Sequence, residues 1–122
     1  MAYKDFTQMP VWQKAMHLLV EIYSLTKKFP KEEVYGMVAD IHRSSNSVVH
    51  NIAEGFGRYE NRDKSRFYKI SRGSAFEIIS QLIASYLLDY ISESEKKDLT
   101  NRYKEIIEEL DPLIKYVETR TK

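Results

Sequence analysis

The sequence predicts an all-α protein, an antiparallel up-down-up-down four-helix bundle forming one domain over residues 1–122. Three observations predict it. Apolar residues recur at helical spacing through four segments, strand-type alternation is absent, and the four glycines and three prolines fall mostly where that period changes. Short connections between four such segments make sequential neighbours antiparallel.

The first helix is expected over about residues 10–28, with Pro10 suited to its opening turn. Val11, Ala15, Leu18, Ile22, Leu25 and Phe29 form its apolar stripe, and Trp12, Met16, Leu19 and Tyr23 form a second stripe beside it. The second helix is expected over 32–55, with Glu32 and Glu33 at its amide end and Val34, Val38, Ile41, Ser45, Val48 and Ile52 as its core line. Gly55 and Gly57 are its stop signals. The third, over 62–91, carries Ala75, Ile78 and Leu82 on one line and Phe76, Ile79, Ile83, Leu87 and Tyr90 on another, a wider sector than a one-sided helix needs. The fourth, over 93–119, opens on a capping box in "SESE" and runs through Leu99, Tyr103, Ile106, Leu110, Leu113 and Val117. Asp111-Pro112 is expected to kink or restart it. The doubled stripes on helices one and three imply apolar surface beyond what one core covers, available to a second copy of the chain; a wide core is the other reading.

Composition narrows the function. The chain has no cysteine, which excludes a disulfide framework and thiolate chemistry and fits a reducing compartment. No apolar run approaches the ~18 residues of a membrane span, and the start lacks a signal-peptide pattern, so the expected compartment is the cytoplasm and no membrane partner is expected. A net charge of +1 conceals segregation along the chain. Residues 58–72 carry six basic groups (Arg58, Arg62, Lys64, Arg66, Lys69 and Arg72) against two carboxylates, a net of +4, whereas 89–111 carry eight acidic groups against four basic, a net of −4. Such separation suits an anionic partner or pairing between copies, and solvated helix faces are the plainer reading.

On the second helix Arg43, Ser47, Asn51, Glu54 and Arg58 fall within one arc of ~80°, rotated away from the core line. An amide and a hydroxyl in that line suit fixed hydrogen bonds better than open solvent does. Ser74 and Glu77 on the third helix are the expected partners, giving a polar clasp that sets the register of helices two and three, with Glu54 paired to Arg58 or Arg43. Catalytic signatures are absent. No histidine has the glutamate three residues before it that a di-iron bundle requires, no cofactor or metal is expected, and "RSSNSVVH" has no nucleophile elbow. Arg43 and His50, about 20° apart around the helix, resemble the Arg-x(4 to 6)-His arrangement of the metal-independent HEPN ribonucleases, a two-residue likeness.

The segments "VWQKAMHLLVEIY", "FPKEEVYGM", "NIAEGFGR" and "GSAFEIISQL" resemble, in order and spacing, the 23S rRNA intervening-sequence protein family. That resemblance implies an up-down four-helix bundle assembled as a homopentamer. It also implies kinship with the accessory variability determinant of diversity-generating retroelements, and hence RNA or DNA, or a nucleic-acid-processing protein such as a reverse transcriptase, as partner. The matching positions are Arg43, Asn51, Glu54, Gly55, Arg58, Gly73, Ser74 and Glu77. His42, Val49 and His50 depart from the family pattern, which sets His50 apart as individual to this chain. The combined expectation is a non-enzymatic oligomer that binds nucleic acid through Arg58, Arg62, Lys64, Arg66, Lys69 and Arg72, with Tyr59, Phe67 or Tyr68 available for stacking. The alternative is an adaptor in which the basic segment meets the acidic fourth helix of a neighbouring copy.

Overall fold

A computed structural model describes residues 3–120, and among these the chain forms four α-helices and no strand: α1 (Pro10–Thr26), α2 (Met37–Gly57), α3 (Asn61–Leu87) and α4 (Glu93–Glu118). Single 3-10 turns, Phe6–Gln8 and Lys31–Glu33, precede α1 and α2. Residues 1, 2, 121 and 122 of the expected domain lie outside the described residues.

The pairing of side chains fixes the topology. Between α1 and α4, Lys14 pairs with Glu109, Glu21 with Arg102, and Lys28, just past α1, with Glu95. The partners recede seven residues at a time on both helices in opposite directions, so the contact is antiparallel with a heptad register. These pairs are solvent-screened and add little to stability, acting mainly on alignment. Between α2 and α3 the same opposed progression links Arg43 to Glu77, Ser47 to Ser74 and the Val48 carbonyl to Ser71. Among the described residues the backbones of α1 and α3 each approach those of α2 and α4 but not one another, so the two helices stand at diagonal corners. Leu18, Ile22, Ile41, Val48, Ile52, Ile78, Leu82, Tyr103, Ile106 and Leu110 fill the space between them.

The observed helix limits differ from the expected ones most at α2. Helix begins at Met37, five residues late, because Pro30 leads into a 3-10 turn and Glu33 turns back to accept the Met37 amide at 3.1 Å. The Glu33 carboxylate occupies the space where a Cβ on Gly36 would stand, and its other oxygen accepts from the Tyr90 hydroxyl at 2.6 Å. Both bonds stabilise the ionised form and hold Glu33 below the usual carboxylate range, the tyrosine contributing most. Val34, expected on the core line, is exposed in that turn. α1 ends at Thr26 rather than Lys28, and α2 runs two residues past its expected end at Gly55 to stop at Gly57, the second of the two glycines.

α3 stops at Leu87, four residues early, in a Schellman arrangement: Tyr90 N–H donates to the Ser85 carbonyl and Asp89 N–H to that of Tyr86, with Asp89 at φ 64°. α4 has the expected capping box, Glu95 N–H to Ser92 Oγ and Ser92 N–H to Glu95 Oε1. It continues through Pro112 to Glu118 without restarting. Pro112 is exposed, so the carbonyl that loses its partner has water at hand.

The second apolar stripes divide. Trp12, Met16 and Leu19 are partly covered by the chain's own core, and Ile79 is buried. Tyr23 on α1, and Phe76, Ile83 and Leu87 (71% exposed) on α3, remain open, as does Val20 of α1, which belongs to neither expected stripe (63% exposed). No helix of the described residues is long and apolar enough to cross a membrane.

Candidate nucleic-acid interface

The α2–α3 seam anchors the basic end of the bundle. Small residues let the two backbones approach: Ser44, Ser45, Ser71, Ser74, Ala75 and Gly55 are all buried. At Gly55 a Cβ would stand 2.6 Å from the Tyr68 ring, so the tyrosine packs directly on the glycine. Burial raises the Tyr68 hydroxyl to about 12. Ser71 Oγ donates to the Val48 carbonyl at 2.6 Å, a fully buried link that the polar pattern of α2 alone does not reveal.

The expected clasp residues occupy this seam's edge. Arg43 reaches Glu77 at 2.7 Å, Ser47 Oγ and Ser74 Oγ lie 2.6 Å apart, and Asn51 Nδ2 donates to the Ser47 carbonyl at 2.8 Å and to its hydroxyl at 3.0 Å. The Arg43 hydrogen bond lowers the Glu77 pKa. Glu54 pairs with Arg58 at 2.9 Å within its own helix, so of the two partners expected for it, Arg58 is the observed one. The charged members are exposed, whereas Ser74 is buried; the serine bridge therefore carries most of the energy, about 0.5–1.5 kcal/mol.

The six basic residues divide in three ways. Lys64 leaves the candidate surface: its Nζ donates to the Phe56 carbonyl at 2.6 Å, capping α2, and burial lowers its pKa. Lys69 and Arg72 pair with carboxylates of α4 in the same chain, Glu118 at 2.5 Å and Asp111 at 2.6 Å, and Arg58 with Glu54. Of these pairs, Arg72–Asp111 joins the basic segment to the acidic one within a single chain. Arg62 and Arg66 make no ion pair among the described residues and are exposed one turn apart. They line an open groove with Ser65, Lys69 and Glu118.

The three candidate stacking rings differ as sharply. Tyr68 is 2% exposed and unavailable. Phe67 lies between two guanidinium groups, Arg58 at 4.5 Å and Arg66 at 4.6 Å from its centroid. Tyr59, in the turn between α2 and α3, is 93% exposed.

The pattern of the 23S rRNA-intervening sequence protein family matches residues 7–111. The chain belongs to this family. Among solved structures it is similar to a protein of unknown function from the S23 ribosomal protein family of Bacteroides thetaiotaomicron VPI-5482, at 25% identity and a TM-score of 0.80, over 86% of this chain and 98% of that one. No curated protein matches the chain. The matched span of this intervening-sequence protein includes the whole α2–α3 seam and the turn that carries Tyr59.

A second polar cluster, which the sequence reading did not single out, joins α1 to α2. The Tyr23 and His42 rings stack at 3.8 Å, His42 Nε2 lies 2.8 Å from Thr26 Oγ1, and Asn46 Nδ2 donates to the Tyr23 hydroxyl at 2.8 Å. Burial lowers the His42 pKa. Its only advance signal was the spacing of His42 and Asn46, one turn apart. His50 is exposed, and the guanidinium of Arg43 is held by Glu77. Among the described residues no three histidine, aspartate or glutamate side chains are grouped so as to hold a metal ion.

Proposed function

We propose that the protein is a non-enzymatic homo-oligomer, built as a homopentamer, that binds nucleic acid through the α3 N-terminal end of each bundle. The observation that carries the binding half is Arg62 and Arg66, without a carboxylate partner and a few residues beyond the exposed Tyr59, with Arg58 across Phe67 from Arg66 and Lys69 in the same groove. Two guanidinium groups per chain without a carboxylate partner are a weak phosphate site, and repetition around a ring multiplies it. Support for the ring is the pair of unlike apolar faces at diagonal corners, Val20 and Tyr23 on α1 and Phe76, Ile83 and Leu87 on α3. Joining the first face of one copy to the second of the next is a head-to-tail contact, which closes into a ring when the rotation permits.

Two experiments test this reading. In light scattering after size exclusion, the protein should elute at five protomers and Ile83→Glu should shift it to smaller species; a monomer in both cases refutes assembly. Single-stranded and duplex RNA and DNA should bind in dilute buffer, with affinity falling steeply as salt rises. Absence of binding to any of them in dilute buffer would favour the adaptor reading instead. RNA incubated with the protein should be recovered uncut; cleavage lost on His50→Ala would replace this reading with a ribonuclease.

A further inference from the structure

We infer that the α2–α3 turn, residues 58–60, receives an unstacked base on Tyr59, so that the ligand is a single strand rather than a duplex; this rests on the nucleic-acid reading above. A single exposed aromatic ring is ordinary on a protein surface, so exposure alone decides nothing. Its neighbours do. Tyr59 follows Arg58 directly, and three residues at most separate its Cα from that of Arg62 by about 11 Å. Arg62 and Arg66, neither held by a carboxylate among the described residues, line a groove in the first turns of α3.

The other two rings of the segment are already committed, Tyr68 to the seam and Phe67 to two guanidinium groups. No ring or cation stacks on Tyr59 among the described residues, so both of its faces are open. Glu60, next in the turn, is exposed and makes no capping bond to α3, and its carboxylate disfavours a phosphate at the tip. The arrangement is therefore polarised. Phosphates suit the Arg62–Arg66 groove, and the flat uncharged face of a base suits Tyr59. In a duplex both faces of each internal base are covered by its neighbours, whereas a single strand or loop presents them.

The test uses the full chain and two labelled RNAs, an unstructured single strand and a blunt-ended duplex without a loop and with the same total number of nucleotides, read by fluorescence anisotropy in dilute buffer. The single strand should bind about tenfold or more tightly than the duplex. Tyr59→Ala should weaken single-strand binding about tenfold and leave duplex binding unchanged, and Tyr59→Phe should retain the affinity. Because the ring is outside the core, the thermal melts of these variants should match that of the parent. Equal affinity for the two RNAs, or full single-strand affinity in Tyr59→Ala, would overturn the inference while leaving the arginine patch intact. Failure of both RNAs to bind would overturn the inference and the nucleic-acid reading together.

Discussion

Replacing Gly55 by alanine sets two effects of opposite sign against each other. Glycine inside a helix is about 1 kcal/mol less favourable than alanine, so the substitution alone would stabilise α2. The new methyl, however, would lie 2.6 and 2.7 Å from two carbons of the Tyr68 ring and 3.2 Å from the Lys64 carbonyl. Tyr68 is buried, so its ring has no solvent side to swing into, and overpacking of this kind costs roughly 1–3 kcal/mol. The net expectation is a loss of up to about 2 kcal/mol. Gly73→Ala is the control: it is helical and exposed, with nothing within 4 Å of the added carbon, and should gain about 1 kcal/mol. Urea unfolding followed by circular dichroism, at one protomer concentration and with the oligomeric state checked, should separate the two variants by about 1–3 kcal/mol. A Gly55→Ala midpoint at or above that of Gly73→Ala would refute the packing argument.

Other expectations follow from named contacts. Asp89→Gly should raise stability by about 1 kcal/mol, since φ 64° is costly for a residue with a Cβ; an unchanged urea midpoint would contradict this. Stability should fall as pH drops below 6.5, because burial lowers the His42 pKa and the unfolded chain then binds the proton that the folded chain resists. His42→Gln should flatten the slope just below pH 6.5, whereas the loss that sets in as pH nears 4.5, where the unfolded chain protonates the hydrogen-bonded glutamates Glu21, Glu33, Glu77, Glu95 and Glu118, should remain. Lys64→Ala should lower the melting temperature through loss of the α2 cap while leaving the salt dependence of RNA binding unchanged, whereas Arg62→Ala should reduce the salt slope by about 0.7 and leave melting unchanged.

The helical periods of the sequence carried the architecture well because each core line repeats over several turns, and a few misplaced residues do not alter which face is apolar. Ends were harder to read, because they depend on single bonds. Nothing before Met37 announces that Glu33 folds back as a cap, and Tyr90 and Ile91 continue the apolar period past the point where Asp89 takes the left-handed turn that glycine usually marks. The line Arg43, Ser47 and Asn51 was legible because helical geometry puts those residues on one face whatever the partner. Charge was the least legible. A count of basic residues cannot distinguish Lys64, which turns inward to a carbonyl, from Arg66, which does not, and Lys69 and Arg72 are neutralised by residues some forty to fifty positions downstream. Tyr59, Phe67 and Tyr68 are likewise equivalent as letters; only their helical phase and the glycine opposite Tyr68 divide them.

Under the proposed head-to-tail assembly, the diagonal placement of α1 and α3 has a genetic consequence. If unlike surfaces join copies in sequence, a subunit spoiled on one of them still docks by the other and leaves the next position without a foothold. A minority of such subunits would then poison a mixed population out of proportion to their number, so that lesions on α1 or α3 would behave as dominant while lesions in the core, which remove the subunit altogether, would be recessive.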